Sequence, residues 1–139
     1  MQMTPYLTFN GQCEAAFRFY EERLGAKITC MMTYGETPAA EHSPPDMQDK
    51  VIHARLTLGD DVLMGSDAPQ GRYEETRGFS VALGIDEPAE AERVFHALAE
   101  GGSVCMPIEE TFWATRFGML VDKFGIPWMV NCEKRAEAA

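Results

Sequence analysis

The 139-residue sequence has few basic residues, since 12 Lys and Arg stand against 22 Asp and Glu and give a net charge of −10. Such a charge disfavours nucleic acid, whose phosphates it would repel, and also anionic membranes. The chain has no apolar run of about 18 residues, so we expect no membrane-spanning helix. Its first residues, MQMTPYLTF, lack the basic and apolar regions of a signal peptide, and we therefore expect a cytoplasmic protein.

Cysteine pairs with metal-binding spacing are absent as well. The four cysteines are scattered, with no C-x-x-C pair and no histidine placed to complete a zinc site; they are Cys13, Cys30, Cys105 and Cys132. A chain with 45% hydrophobic residues and no export signal does not need disulfides. We therefore expect four free, buried thiols.

Hydrophobic periodicity divides the first half of the chain into one helix and four strands. The helix, residues 12–24, is followed by Gly25 in the usual C-cap position, and its apolar stripe is Cys13, Ala16, Phe17, Tyr20 and Leu24. The strands are predicted at 6–9, 26–34, 51–58 and 62–66. The proline-containing stretch 35–50 is a loop, which would be either a lid over a site or a variable connection.

The second half repeats this order. A strand at 79–85 precedes a helix with Asp86 as its cap and an early Pro88, and its buried stripe is Ala91, Val94, Phe95 and Leu98. Further strands are predicted at 103–107, at 111–113 and 116–121, and at 126–131. The segments 116–121 and 126–131 are joined by a turn in which Asp122 caps the backbone. This hairpin is rich in large apolar side chains, so we expect it at the centre of its sheet.

The order strand, helix, strand, strand, strand therefore occurs twice, in residues 1–68 and 79–133 of a single domain that spans 1–139. Two such units predict an α+β fold in which duplicated βαβββ modules form a cupped mixed sheet with the helices outside. A ferredoxin-like α+β domain is the alternative, but it leaves the third strand of each half unexplained.

Four stretches resemble a known superfamily: PYLTFNGQCEAAFRFYEERLGA at 5–26, HARLTLGDDVLMGSDA at 53–68, ETFWATRFG at 110–118 and DKFGIPWMVN at 122–131. The sequence resembles the vicinal-oxygen-chelate (VOC) superfamily, which includes glyoxalase I, extradiol dioxygenases and the fosfomycin and bleomycin resistance proteins. Within it, ETFWA followed by DKFG-I-PWM-N is specific to the PhnB-like branch, often named after 3-demethylubiquinone methyltransferase.

This resemblance implies the glyoxalase/bleomycin resistance-like fold, a cupped site inside the sheet, and a homodimer. It implies no single reaction, because one scaffold hosts many chemistries in this superfamily. The methyltransferase name has no support in these residues, since no glycine motif for S-adenosylmethionine follows the first strand.

Metalloenzymes of the superfamily take one metal ligand from each of four strands. The resemblance places these positions at Thr4 or Tyr6, at Arg55, at Ser80 and at Met129. A guanidinium, a serine hydroxyl and a thioether form a poor ligand set for a divalent cation. We therefore expect no metal and no other cofactor.

Alternation along the strands assigns residues to the two faces of the sheet. The residues expected to pack under the helices are Leu7, Phe9, Ala54, Leu56, Leu58, Phe79, Val81 and Leu83. The residues expected to line the cup are Tyr6, Thr8, His53, Arg55, Thr57, Ser80, Met129 and Asn131, and all of them except Thr57 are candidate ligand contacts. The second set is mostly polar, which is unusual for a plain second core.

Arg55 and His53 are the main candidates in this set. Arg55 would hold a carboxylate or phosphonate through two hydrogen bonds, or else form an ion pair with Asp122, Glu109 or Glu110. His53 would be a general base or an anion contact, or else a half-buried histidine bonded to a neighbouring strand.

Two further groups each have a structural alternative. Trp113 or its neighbour Phe112 would form a wall of the pocket, or else pack in the core. Met129 would belong to an adaptable apolar lining or to ordinary core filling, together with Met31, Met32, Met64 and Met106.

The sequence therefore predicts a protein that binds a small, anionic organic molecule in a metal-free cup, with no turnover. The alternative is a glyoxalase-type or lyase-type enzyme, with His53 as the base and Arg55 stabilising developing negative charge. A dimerising scaffold with a vestigial cup is a third interpretation.

Overall fold

The computed structural model describes residues 1–134. The chain divides into two compact units, Met1–Glu75 and Thr76–Ala139. Each unit contains a strand, a helix and three further strands, and each has its own four-stranded sheet. The predicted α+β fold with duplicated βαβββ modules is confirmed.

The first unit is a mixed sheet with one long helix. Its strands follow the spatial order β1-β4-β3-β2, in which β1 is parallel to β4 and the other pairs are antiparallel. The elements are β1 (Tyr6–Phe9), α1 (Cys13–Leu24), β2 (Lys27–Thr33), β3 (Val51–Leu58) and β4 (Asp61–Asp67). Each lies within two residues of its predicted bounds, because every one has a clear hydrophobic period and a turn residue at its end.

Helix α1 covers one face of this sheet. Its predicted stripe is buried except for Leu24, which is only half-buried, and Phe19 is buried in addition. The strand residues under the helix are apolar and buried as predicted, apart from the half-buried Leu58. Gly65 allows the helix to come close, since a Cβ at this position would lie 3.0 Å from the Phe17 ring.

The segment between β2 and β3 has a folded structure of its own, where the sequence predicted only a loop. It contains three short 3-10 helices, Tyr34–Glu36, Pro38–His42 and Pro45–Met47. Gln48 fastens them together, since its Nε2 donates to the carbonyl oxygens of Ala40 at 3.1 Å and Ser43 at 2.9 Å.

The second unit repeats the arrangement with the spatial order β5-β8-β7-β6, in which β5 is parallel to β8. Its elements are β5 (Val81–Gly84), α2 (Pro88–Ala99), β6 (Ser103–Glu109), β7 (Ala114–Val121) and β8 (Pro127–Glu133). Strands β7 and β8 occupy the two central positions, so the prediction of a central final hairpin is confirmed.

Helix α2 packs on β6, β7 and β8 through its predicted stripe of four residues, all of which are buried. Its predicted cap is wrong, because Glu87 and not Asp86 occupies the N-cap position, and the Glu87 side chain makes no cap hydrogen bond. Pro88 at the first position leaves one fewer backbone N–H in need of a partner.

Two predicted strand segments in the second unit are also wrong. Strand β5 begins only at Val81, so Phe79 and Ser80 precede it, and Phe79 is 46% exposed where the pattern placed it under a helix. Residues 111–113 belong to the turn before β7. This turn is closed by Thr111, whose N–H donates to the Ala114 carbonyl and whose hydroxyl accepts from the Ala114 N–H, both at 3.0 Å.

The cysteines are all free, as predicted. The prediction that they are buried is confirmed for Cys13 and Cys132, while Cys30 is half-buried and Cys105 is exposed. Neither α1 nor α2, nor any other helix in residues 1–134, is long and apolar enough to cross a membrane.

Candidate functional site

The face of the first sheet that points away from α1 is the main candidate site, and we call it the open face. Residues paired directly across neighbouring strands project to the same side of a sheet, as do alternate residues of one strand. By these pairings the open face consists of Tyr6, Thr8, Lys27, Cys30, Met32, His53, Arg55, Thr57, Val62, Met64 and Ser66. The predicted facing of Tyr6, Thr8, His53, Arg55 and Thr57 agrees with this register.

The open face contains cations but no carboxylate. Lys27 and Arg55 lie on it, together with the imidazole of His53, whereas the two carboxylates on the strands of this sheet, Asp61 and Asp67, are paired with Leu58 and Phe9 on the opposite side. This separation of charge is unexpected in a chain with a net charge of −10. It makes the open face an electrostatically favourable surface for an anion.

Arg55 stands in a row that crosses all four strands. It is paired with Met64 on one side and Cys30 on the other, and Met64 is paired in turn with Tyr6. Side chains paired in this way have Cβ atoms roughly 4.5–5.5 Å apart. The row therefore places a guanidinium between a thiol and a thioether.

The Arg55 guanidinium makes few polar contacts with the rest of the first unit. Its Nη1 donates to the Thr29 hydroxyl at 3.4 Å, a long hydrogen bond. No ion pair of Arg55 occurs within residues 1–134, so the predicted alternative of an acidic partner is not supported. Asp122, one of the proposed partners, instead uses both of its carboxylate oxygens within its own hairpin.

Tyr6 and His53 form a stacked and hydrogen-bonded pair. The Tyr6 hydroxyl lies 3.2 Å from His53 Nδ1, and the ring centroids are 5.9 Å apart at an interplanar angle of 24°. Since β4 lies between β1 and β3, the two rings meet above β4. The pair thus adds a flat, partly polar surface at the Tyr6 end of the row that contains Arg55.

The second unit presents a different surface on the side away from α2, which we call the methionine face. Its residues are Ala82, Gly84, Ser103, Met106, Glu109, Phe117, Met119, Val121, Pro127, Met129 and Asn131. Met129 and Asn131 face this side, as the alternation predicted. The expectation of a mostly polar lining is wrong here, because Met106, Met119 and Met129 form a continuous row across three strands.

Asn131 carries an amide on the methionine face, where it is paired with Gly84 and Phe117. Its Oδ1 atom is buried and accepts no hydrogen bond from the part of the chain that the structure describes. An unsatisfied amide oxygen costs roughly 1–3 kcal/mol when it is fully removed from water.

Ser80 lies outside both surfaces, and Trp113 adjoins the methionine face only through its ring contact with Phe117. Ser80 lies outside β5, and Ala82 is the residue paired with Met129. Trp113 precedes β7, is 46% exposed and contacts Phe112 and Phe117, with ring centroids 4.7 and 5.3 Å away. Both residues were predicted to lie in strands, and this was wrong. Each belongs to a short segment before a strand, where hydrophobic composition does not distinguish a strand from a turn.

The residues at the superfamily's metal positions do not fit a divalent cation. In the repeat, the position equivalent to Met129 on β8 is Met64 on β4, since these pair with Ala82 on β5 and Tyr6 on β1. The metal position of the first unit is therefore Met64 or its neighbour Arg55. In either case the side chains available are the thioethers of Met64 and Met129, the Tyr6 phenol and the Arg55 guanidinium. Hard oxygen ligands and imidazoles are what such metals prefer. No group of three His, Cys, Asp or Glu side chains clusters anywhere in residues 1–134.

We expect the purified, untagged protein to contain close to zero divalent metal per chain, because these positions lack suitable donors. Elemental analysis before and after incubation with zinc, nickel or manganese measures this directly. About one tightly held metal per chain would contradict the assignment of the four positions.

Asp67 is a buried polar residue just beyond the predicted strand 62–66, and the sequence assigns it no role. Its Oδ1 accepts from the Cys13 N–H and its Oδ2 from the Val51 N–H, both at 2.9 Å. Its backbone carbonyl accepts from the Tyr34 hydroxyl at 2.8 Å. Asp67 therefore fastens the start of α1 and the start of β3 to the end of β4, a role that only the folded arrangement reveals.

Cys13 is not a nucleophile candidate, although it lies in the first turn of a helix. Burial raises the pKa of its thiol strongly, and the nearby Asp67 and Glu14 carboxylates raise it further. Burial likewise raises the pKa of the Tyr34 hydroxyl, and Asp67 adds to the effect. The Asp67 cluster is therefore structural.

Comparison with known proteins identifies the family. A family model described as 3-demethylubiquinone-9 3-methyltransferase matches residues 1–131. The chain belongs to this PhnB-like family. Protein YjdN of Escherichia coli K12 is 37% identical over 144 residues, which cover 97% of each chain.

Solved structures support the same assignment. Protein PA1353 of Pseudomonas aeruginosa is 49% identical, with a TM-score of 0.89 over 97% of this chain and 99% of that one. A PhnB protein of Bacillus cereus is 28% identical, with a TM-score of 0.79 over 95% and 99% of the two chains. A glyoxylase/bleomycin resistance protein/dioxygenase domain from Frankia is only 16% identical, with a TM-score of 0.64 over 96% and 98%, and shows the shared fold alone. The predicted resemblance to the VOC superfamily and its PhnB-like branch is confirmed.

Proposed function

We propose that this PhnB-like protein binds a small, anionic organic molecule on the open face of its first sheet, without a metal, and that Arg55 is the principal contact. The observation that carries the proposal is the composition of that face. It holds Arg55, Lys27 and His53 and no carboxylate, in a chain with a net charge of −10. Arg55 also lacks an ion-pair partner in residues 1–134, so its guanidinium is available to a ligand.

The surroundings of Arg55 fit an organic anion better than an inorganic one. A guanidinium binds a carboxylate or phosphonate through two parallel hydrogen bonds. His53 lies two residues along the same strand, about 6.6 Å away at its Cα. Met64 and the stacked rings of Tyr6 and His53 offer apolar and aromatic contact for the carbon skeleton of the ligand.

Replacing Arg55 with alanine is expected to weaken binding of the anion by roughly 1.5–3 kcal/mol, or about 10- to 150-fold, because a charge-assisted pair is lost. Isothermal titration with small carboxylates and phosphonates, with phosphonoacetate as the first probe, measures this. Arg55→Lys should recover only part of the affinity, since an ammonium keeps the charge but loses the two-pronged geometry.

Arg72→Ala serves as the matched control, because it removes an exposed arginine of the same unit that lies outside the open face. It should leave the affinity within about twofold of the parent value. Equal affinity in the parent and Arg55→Ala proteins, for every anion that binds, would refute the role of Arg55.

The alternative function is catalysis of the glyoxalase or lyase type, and the observation that favours it is the hydrogen bond between Tyr6 and His53. A phenol bonded to one ring nitrogen orients the imidazole and leaves its other nitrogen to exchange a proton with a ligand. Product formation from a bound anion, lost in His53→Gln but accompanied by unchanged binding, would establish this function. The homodimer implied by the superfamily stays a prediction, which sedimentation equilibrium would check.

A further inference from the structure

The thiol of Cys30 lies beside the proposed anion contact. Cys30 is paired directly with Arg55 across the β2–β3 ladder, next to an irregularity in the register between Ile28 and Cys30. It is free and half-buried, unlike the fully buried Cys13 and Cys132. No part of the sequence reasoning selected it, because the facing of β2 residues depends on that irregularity.

A thiol and a guanidinium that forms no ion pair within residues 1–134 suit one class of ligand at this separation. Their Cβ atoms are roughly 4.5–5.5 Å apart, as expected for directly paired strand residues. A carboxylate held by Arg55 would place the carbon next to it within reach of the Cys30 sulfur. If that carbon carries a leaving group, the site brings together a nucleophile and an electrophile and lowers the entropic cost of their meeting.

We propose that Cys30 and Arg55 form a covalent capture site for small carboxylates that carry a leaving group on the carbon adjacent to the carboxylate. The Cys30 thiolate forms a sulfur–carbon bond to that carbon, and the leaving group departs with the electron pair of the broken bond. The thiol proton goes to water, so no oxidant or reductant is needed. The proposal rests on the proposed function, since Arg55 must bind the carboxylate.

The test compares iodoacetate, which is anionic, with iodoacetamide, which is neutral and of nearly the same size. The folded full-length chain is treated with each reagent, and peptide mass spectrometry gives the alkylation rate at each cysteine. Cys105 supplies the internal reference, because it is exposed and lies on β6 in the second unit. The ratio of iodoacetate rate to iodoacetamide rate should be about tenfold higher at Cys30 than at Cys105, because a nearby cation attracts the anionic reagent.

Variants then identify the source of the preference. Arg55→Met should reduce the ratio at Cys30 to that at Cys105, and Arg55→Lys should keep most of it, since steering depends on charge. High salt should reduce it as well. Cys13 and Cys132, which are 0% and 1% exposed, should stay unmodified and so report that each variant remains folded.

Equal ratios at Cys30 and Cys105 in the parent protein would overturn the proposal, and so would a preference that survives in Arg55→Met. These outcomes are distinct from failure of the proposed function. If titration shows that Arg55→Ala weakens phosphonoacetate binding while the ratios at the two cysteines are equal, Arg55 binds anions and Cys30 captures none. If no anion binds in an Arg55-dependent manner, both proposals fail.

Discussion

Replacing Asp122 with alanine is expected to lower the free energy of unfolding of the second unit by roughly 3–5 kcal/mol. The buried Asp122 carboxylate accepts three hydrogen bonds: from the Phe124 N–H at 2.8 Å, the Ile126 N–H at 3.0 Å and the Trp128 indole N–H at 2.9 Å. Alanine would leave these donors without an acceptor, at a cost of about 1–3 kcal/mol for each one that water cannot reach. Trp128 and Ile126 are 1% exposed, so relief by water is small there.

Guanidinium unfolding followed by tryptophan fluorescence measures this loss. Trp113 is 46% exposed and Trp128 is 1% exposed, so a Trp113→Phe background leaves a single buried reporter beside Asp122. Lys123→Ala is the matched control, because it alters an exposed residue of the same turn and should change the stability by less than about 0.5 kcal/mol. A loss below about 1 kcal/mol in Asp122→Ala would show that the carboxylate does not organise the hairpin.

The Asp67→Ala substitution is expected to cost the first unit roughly 2–4 kcal/mol of unfolding free energy. Asp67 is 1% exposed, and its two carboxylate oxygens satisfy the N–H groups of Cys13 and Val51. The first of these belongs to the start of α1, which has no side-chain cap from its own N-cap residue Gln12. A carboxylate near the N-terminus of α1 also interacts favourably with the positive end of the helix dipole. The loss of stability therefore includes an electrostatic part.

Urea unfolding followed by far-ultraviolet circular dichroism measures the change, with Asp61→Ala, at the exposed start of β4, as the control. Labelling of Cys13 adds a local test, because this thiol is 0% exposed and reacts only when α1 opens. We expect Cys13 to be labelled at least tenfold faster in Asp67→Ala than in Asp61→Ala. Unchanged Cys13 labelling would mean that α1 is fastened by packing alone.

Much of the fold could be predicted because each module repeats strong local signals. The helical stripe Ala91, Val94, Phe95 and Leu98 is buried as its spacing required, and Gly25 ends α1 with φ 71° in the left-handed region. Strand β3 was predicted with its observed bounds, since a proline-rich segment precedes it and a Gly-Asp-Asp turn follows. Each of these features depends on residues close together in the sequence.

The features that could not be predicted depend on residues far apart. Asp67 binds partners 54 and 16 residues away, so nothing near it in the sequence distinguishes it from a linker aspartate. The irregularity beside Cys30 shifts the facing of β2, and no glycine or proline marks it. Such effects arise only when strands from separate parts of the chain are aligned.

The candidate site shows the same division. Tyr6, His53 and Arg55 were placed on one face by alternation, because they lie in regular parts of β1 and β3. Ser80 and Trp113 were misplaced, because they precede strands that begin later than the apolar pattern indicates. Thr29, which bonds to Arg55, was missed because its position depends on the same irregularity as Cys30.

The irregular registers of the outermost strands β2 and β6 also bear on how the protein behaves at high concentration. An exposed strand at the margin of a sheet is a template on which other chains aggregate, and β6 exposes Val104 and Met106 by 49% and 40%. Its pairing is interrupted twice, and Pro107 offers no N–H to an incoming strand. Strand β2 is likewise interrupted twice. These interruptions shorten any regular hydrogen-bonding ladder that could form on β2 or β6, which protects these two edges against fibril-like growth.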